Sequence, residues 1–292
     1  MKAQLAHYED VRAQYETYAT HWQNRKMLVH WMMNNPWPSF FGHLFDYYFK
    51  QGGGYFGAKK GLKQLTVVWD YYAAGDRKTA KVYAVNLTQE QREHLKVALE
   101  VYDLSSVRRF AKEVADVTIP AGTSVVAMTM ARDYTLGPVF FVRLQLKDAS
   151  GSVLAENVYW ASNADDVVGN PNDPAQFKTE LEKWADFSAL SDMPGVRVQL
   201  AAKLEGADAT KTATLTLRNL SNHIAFFLRA EVTAGPDGEE ILPITYDDNY
   251  VTLFPQQTKT IVARFESDLA TKRNFVVRLE GYNVGKMVLP LK

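Results

Sequence analysis

The 292-residue chain contains no cysteine. Disulfides, thiolate nucleophiles and cysteine-ligated zinc are therefore excluded together. No run of about 18 apolar residues occurs, so no membrane-spanning helix is expected. Neither sign of charge is in excess: Lys+Arg and Asp+Glu are both 33. A general nucleic-acid binder needs a basic face to neutralise phosphates, and this balance argues against one. The first residues, MKAQLAHYEDVRAQYETYATHW, lack the apolar centre of a signal peptide and carry acids throughout. No export signal is expected within this chain.

Chemical motifs are also sparse. The histidines at positions 7, 21, 30, 43, 94 and 223 show no metal-binding pair such as His-Glu-x-x-His. There is no G-x-S-x-G elbow. The run GGGYFG lacks a following Lys-Ser/Thr and a preceding strand, so it reads as a helix stop and turn rather than a phosphate loop. Asp247-Asp248-Asn249 reads as a turn before a strand rather than a calcium site, because no further oxygen ligands can be named. No metal and no cofactor are expected.

What is present starts with a helical period. Leu5, Tyr8, Val11, Tyr15, Tyr18 and Trp22 recur at spacings of three and four, which predicts a helix over residues 3–25. Its other face carries Glu9, Asp10, Arg12, Gln14 and Glu16, and the acids among them, with Asp46 on the second helix, read as solvated or capping groups. MLVHWMM then reads as a short buried strand, ended by Asn34, Asn35, Pro36 and Pro38. Ser39 can cap a second helix from Phe40 to Lys50, closed by Gly52, Gly53 and Gly54.

From Leu65 the hydrophobic period becomes two. LTVVWDYY, KVYAVNLT, LKVALEVYDL, VTIPAGTSVVAMT, VFFVRLQLKD and VLAENVYW read as strands. Turn chemistry lies at Ala74-Gly75-Asp76 and Asp148-Ala149-Ser150-Gly151. A polar stretch with two prolines follows, and after it VRVQLAAKLEG, TATLTLRNLS, AFFLRAEVTA, ILPITYDDNYVTLFP, TKTIVARFE, FVVRLEGYN and KMVLPLK resume the pattern. Gly235-Pro236-Asp237-Gly238 marks a hairpin. The two β regions look like copies of one plan. VYAVNLT parallels LTLRNLS, and VTIPAGT parallels VTLFPQQT. Asn86 precedes Pro120 by 34 positions, and Asn219 precedes Pro255 by 36. The expectation is two tandem immunoglobulin-like sandwiches.

The aromatic density of the stretch before them stands apart. Trp31, Trp37, Phe40, Phe41, Tyr47, Tyr48, Tyr55 and Phe56 lie within 26 residues. Phe40, Phe41, Leu44 and Phe45, at helical spacing, read as core. Trp31, Asn34, Asn35 and Trp37 read equally well as packing or as a small-molecule cleft of flat rings and amides. Hydrolysis of a glycoside would need two carboxyl groups about 5–5.5 Å apart for a retaining mechanism. No such pair is apparent in the α/β part.

HWMMNNPWPSFFGHLFDYYFKQGGGYFGAKKG resembles a junction in glycoside hydrolase family 2 enzymes of the exo-β-D-glucosaminidase group. There a strand of the form Gln-Trp-Met-x-Asn-Asn leads into Trp-Pro-Ser, an aromatic helix and Tyr-Phe-Gly-x-Lys-Lys. VYAVNLT, NVYWAS, ADFSAL and LPITYDDNYVTLFP are similar to segments of the sandwiches that follow the barrel in that group, and β-mannosidases share the general layout. His30 stands where the group has Gln, and GLKQLTVVW replaces Cys-Glu-Pro-Leu-His-Val-Gln.

The resemblance implies a mainly β fold: two immunoglobulin-like sandwiches preceded by an α/β remnant of a (β/α)8 barrel. The corresponding divisions are 1–60 for the barrel remnant, 61–165 for the first sandwich, 166–192 for a linker and 193–292 for the second sandwich. It implies that Trp31, Asn34, Asn35 and Trp37 sit at a barrel mouth beside a sugar, with the catalytic glutamates on strands this chain does not include. The implied partners are a β-linked oligosaccharide of chitosan type and the remainder of the catalytic barrel, in a secreted or periplasmic parent. A non-catalytic carbohydrate-binding or structural sandwich module, or a module for adhesion or assembly, are the other readings.

Overall fold

The computed structural model describes residues 1–291 except 40–41, 72–78, 132–135, 170–179, 207–208 and 267–273. The expected turn at Ala74–Asp76 lies outside the described residues. The chain divides into two compact units: Ala19–Asn24 with Gln64–Met193, and Met1–Tyr18 with Arg25–Lys63 and Pro194–Lys292.

The unit built on Gln64–Met193 is a two-sheet antiparallel sandwich with immunoglobulin-like character. One sheet has the order β1 (Leu65–Asp70), β2 (Thr79–Asn86), β5 (Thr123–Ala131). The other has the order β4 (Arg108–Ile119), β3 (Arg92–Asp103), β6 (Val139–Lys147), β7 (Val153–Ser162). The period-2 pattern puts Val67, Trp69, Val82, Val97, Leu99, Phe140, Val142 and Tyr159 into one core. Polar bonds tie the sheets through that core. Tyr159 Oη accepts from Trp69 N–H at 3.1 Å, and Asn157 Nδ2 donates to Val67 O at 2.7 Å. The turn expected at Asp148–Gly151 is present, with Gly151 N–H donating to Asp148 O and Gly151 at positive φ. Strand β4 was not expected before Val117. Its first six residues are exposed, so no apolar alternation marks them. After β8 (Val167–Val168) and β9 (Leu181–Lys183), the polar stretch ends in a 3-10 helix, Ser188–Asp192.

The other unit carries a second sandwich. Its sheets run β10 (Val198–Glu205), β11 (Thr210–Asn219), β15 (Thr258–Glu266), β13 (Ile244–Tyr246), and β14 (Val251–Leu253), β12 (Ala225–Ala234), β16 (Phe275–Glu280), β17 (Met287–Pro290). The Gly235–Gly238 hairpin forms, with Gly238 N–H donating to Gly235 O.

The repeated Asn-Leu-Ser/Thr motif has one physical explanation in both sandwiches. Asn86 and Asn219 are fully buried at strand ends. Asn86 Nδ2 donates to the carbonyls of Glu90, Ile119 and Pro120 at 2.8–3.2 Å, while its Oδ1 accepts from the Thr88 N–H and hydroxyl. Asn219 Nδ2 donates to His223, Leu253 and Phe254, and its Oδ1 accepts from the Ser221 N–H and hydroxyl. Each amide therefore satisfies a strand-end turn and a distant corner that would otherwise bury unpaired backbone groups. That is why the motif pairs in sequence at such similar separations.

In the same unit, α1 (Lys2–Thr20) and α2 (Gly53–Gly61) pack on the second sandwich. The expected helix is present and ends at Thr20. Glu16 is not solvated as expected but buried, and Arg12 on the same face is buried too, bonded to Glu9 at 2.5 Å. The cover is α2, which begins where the three glycines were expected to end a helix. Gly53, Gly57 and Gly61 repeat every four residues and face α1. A Cβ on Gly53 or Gly57 would overlap the carbonyl oxygens of Gln4 and Tyr8, and one on Gly61 would lie 2.7 Å from Tyr15 Cβ. The glycine run thus opens a close helix crossing that continues through Gly57 and Gly61, a reading that needs the partner helix to be known.

The helices are held to the sandwich by rings and charges. Tyr8 meets Phe227 edge-on at 5.5 Å, and Phe56 meets Tyr246 and Tyr250. Lys59 Nζ donates to Tyr246 O at 2.6 Å. Asp248 lies 3.6 Å from Lys60 and 2.9 Å from Lys259. Asn249 bonds Ala230 through both side-chain atoms, and Asp247 Oδ1 accepts from Val262 N–H. Asp247-Asp248-Asn249 is therefore committed to structural contacts.

Two outcomes are expected. Asn219→Ala removes a fully buried amide that donates to three carbonyls, of which His223 O keeps the Ser221 hydroxyl and Phe254 O keeps the Gln257 N–H, and it should cost about 2–3 kcal/mol in urea unfolding; a loss below about 1 kcal/mol would contradict the role given to the amide. Burial alone would raise the Asp248 carboxyl, but Lys60 and Lys259 outweigh it and hold it at about 2. A depressed folded pKa gives stability that is full above the unfolded value and is lost as pH falls through the folded one. About 2 kcal/mol should therefore disappear between about pH 4 and pH 2. Asp248→Asn should remove that part of the acid sensitivity; an unchanged profile would rule it out.

Candidate functional site

Residues 25–52 join the two helices, and they differ from the strand and helix expected of them. The run MLVHWMM is not a strand. Backbone ladder bonds are scarce: Phe45 N–H donates to Met33 O, Asn34 and Phe45 form one parallel bridge, and Phe45 and Gln51 one antiparallel bridge. Nor is the run buried. Met27, Val29, Trp31 and Met33 are the most exposed, with Trp31 at 84%, and Leu28 and Met32 between them are exposed to a lesser degree. The alternation of an extended chain is present without a sheet to receive it. Residues 42–50 are not helical either. Phe40 and Phe41, expected in the core, lie outside the described residues. Leu44 packs on Val11, Tyr15 and Ala58, as its core reading required.

Local polar chemistry explains the loop. Asp46 Oδ1 accepts from the N–H groups of Tyr48 and Lys50 at 2.8 and 2.9 Å, and Asp46 N–H donates to Lys50 O. An acid bonding the backbone two residues on favours a turn over a helix. The turn displays Tyr47, Tyr48 and Phe49 to solvent. His30 stacks on Tyr15 at 6.1 Å, and His43 Nδ1 accepts from Met32 N–H at 3.4 Å. Burial lowers the His30 pKa, so the ring behaves as the packed histidine expected.

The four residues singled out from the sequence do not form one cluster. Trp31 and Trp37 are exposed, Trp37 at 59%. Asn34 is half-buried and donates to Asn35 O at 3.3 Å. Asn35 is only 3% exposed and lines a cavity of about 400 Å³ whose walls include none of the other three.

A charged cluster in the same unit was not anticipated. Lys50 Nζ lies 2.7 Å from Glu231 and 3.2 Å from Glu240. Arg229 lies 2.6 Å from Glu231, Arg278 bonds the same carboxylate at 3.3 Å, and Tyr246 Oη donates to Glu240 at 3.0 Å. Burial raises both acids. At Glu240 it prevails; at Glu231 the pull of Arg229 and Lys50 outweighs it and the pKa falls. Two carboxyls pushed apart in this way can mark a proton donor and a nucleophile. Here the Lys50 ammonium bridges them and the arginines complete their shell, so the arrangement is an ion-pair clasp on the 42–52 loop. The signal in the sequence was Arg229-Ala-Glu231, two charges inside the otherwise apolar AFFLRAEVTA.

Comparison with known proteins bears on the whole chain. Residues 176–284 match the exo-β-D-glucosaminidase Ig-fold domain, and residues 78–164 match the mannosidase Ig/CBM-like domain. The exo-β-D-glucosaminidase of Arthroderma benhamiae is 31% identical over 294 residues, 99% of this chain. The chain is a homologue of the exo-β-D-glucosaminidases. It spans only about 31% of the length of that relative and 28% of the one from Amycolatopsis orientalis. The crystal structure of the Amycolatopsis orientalis exo-chitosanase superposes with a TM-score of 0.89 at 30% identity, covering 99% of this chain and 34% of that one. A β-D-mannosidase from Dictyoglomus thermophilum, 19% identical with a TM-score of 0.60, shares the fold over 92% of this chain and 28% of that one.

Exposure of Trp31 and Trp37 makes a spectroscopic prediction. Replacing both by Phe should remove a large part of the red-shifted, acrylamide-quenchable tryptophan emission, leaving that of exposed Trp184 and the blue-shifted emission of buried Trp69 and Trp160 in place. Quenching that is unchanged by the double substitution would show that the rings are covered.

Proposed function

We propose that this chain is the accessory region of an exo-β-glucosaminidase-like glycoside hydrolase, and that residues 1–60 form one edge of its catalytic (β/α)8 barrel. In this reading 61–165 and 193–292 are its sandwiches, with 166–192 as the connection. The observation that carries the reading is the extended run 27–33. It presents alternate apolar side chains and scarcely paired backbone to solvent, in a chain homologous to these enzymes along nearly its whole length. An unpaired strand with an apolar face is a template for further strands. A whole barrel takes about 250 residues, so some 60 cannot close one.

The parent would release terminal β-linked sugars, glucosamine from chitosan oligomers, by a retaining mechanism with two carboxyl groups. The Amycolatopsis orientalis enzyme has been crystallised with an aryl β-D-glucosaminide, in keeping with that substrate class. Trp31, Asn34, Asn35 and Trp37 would line the barrel mouth: the rings would stack on sugar C–H faces and the amides would bond hydroxyls. Asn35, buried on the cavity side, would orient its neighbours. The glutamates would come from the remainder of the barrel, which is the partner this chain requires.

The purified chain should therefore not hydrolyse aryl β-D-glucosaminides above the uncatalysed rate. Turnover abolished by Glu231→Gln or Glu240→Gln would overturn the reading and make the ion-pair clasp a catalytic pair. The second reading, a carbohydrate-binding module, rests on the open tryptophans. It predicts saturable binding of chitosan oligomers that Trp37→Ala weakens at least tenfold, whereas a scaffold predicts no binding at this face.

A further inference from the structure

The cavity behind the aromatic face is lined by Gln4, His7, Asn35, Ser39, Asp46, Lys50, Gln51, Arg229 and Tyr250, among others, and encloses about 400 Å³. That is far more than the ~30 Å³ share of one water. Gln51 is more than nine-tenths buried, and its Oε1 finds no hydrogen-bond partner among the described residues. The buried hydroxyl of Ser39 is in the same position. Buried polar atoms are seldom left unmatched, so a polar occupant is called for.

The charges that line the cavity are already matched. Lys50 is committed to Glu231 and Glu240, and Arg229 to Glu231. Asp46 Oδ1 holds two backbone N–H groups. The first N–H groups of α2 are capped by side chains: Gly53 donates to Gln4 Oε1 and Gly54 to His7 Nδ1. That end of the helix therefore offers no open donors to an anion. Because His7 Nδ1 accepts, its other nitrogen carries the proton in the neutral ring, and burial lowers the pKa and favours that neutral form.

The polar atoms left open are thus neutral: an amide acceptor at Gln51 and a hydroxyl at Ser39 that can donate or accept. Tyr250 adds an aromatic wall. A hydroxyl group both donates and accepts, so adjacent hydroxyls on a ring match this set, whereas an anion would meet the Gln51 oxygen and the Asp46 carboxylate. We propose that this cavity binds a neutral polyhydroxylated molecule of monosaccharide size, independently of any sugar held at Trp31 and Trp37.

Calorimetric titration of the 292-residue chain with methyl β-D-glucopyranoside tests the proposal, with glycerol and inorganic phosphate as comparison probes. Saturable binding of the glucoside is expected, weakened at least tenfold by Gln51→Leu and severalfold by Ser39→Ala, and unchanged by Trp37→Ala. Phosphate should not bind. Ser39→Ala removes one small hydroxyl and keeps the test valid if Gln51→Leu fails to fold. Absence of glucoside binding, binding indifferent to both cavity variants, or preferential binding of phosphate would each overturn the proposal. Loss of binding in Trp37→Ala would overturn it too, since the sugar would then sit at the aromatic face.

Discussion

The close crossing of the two helices is the constraint on which the rest of this unit depends. Glycines at every fourth position let α2 lie directly on the backbone of α1. Side chains there would force the helices apart, and overpacking of this kind costs about 1–3 kcal/mol where the structure can yield at all. The crossing fixes both ends of the connection between the helices, so residues 25–52 form a loop of fixed span. Its middle carries the exposed aromatic residues. The same crossing brings Gln4 and His7 to the start of α2, where they cap its N–H groups and form one wall of the polar cavity.

A second clasp holds the loop from the side of the sandwich. Lys50 bridges two carboxylates whose remaining neighbours are arginines and a tyrosine. Such a cluster contributes little net stability compared with apolar packing, but removing one member leaves an uncompensated buried charge and costs about 3–5 kcal/mol. It specifies one position for the loop. The aromatic face is thus held in place from its two ends by backbone contact and from beneath by charge, without being covered.

Legibility in the sequence followed the reach of the interactions involved. Strands with one buried face, such as those in VRVQLAAKLEG and TKTIVARFE, show in a single-residue alternation and were legible. So was the duplication, because Asn86 and Asn219 each serve two fixed points whose separation is written in the chain. The first half of β4 was not legible, since its residues are exposed. The glycine run was misread because its meaning depends on a helix some 45 residues away, and Glu16 was misplaced for the same reason. MLVHWMM has the composition of a buried strand but is open to solvent here. Of the candidate site, the aromatic residues were legible from density alone, whereas Gln51 and the carboxylates around Lys50 were not, because only the fold brings them together.

That last discrepancy is the centre of the account: a sequence composed for burial lies in the open, in a homologue that spans about 31% of its relative. Amide hydrogen exchange across residues 27–33 addresses it most directly. It would be compared between this chain alone and a chimera in which the chain replaces the matching part of the Amycolatopsis orientalis exo-β-D-glucosaminidase. The account predicts near-unprotected exchange in the isolated chain and slowing of at least about a hundredfold in the chimera, as the run gains strand neighbours. Equal exchange in the two, whether fast or slow, would contradict it.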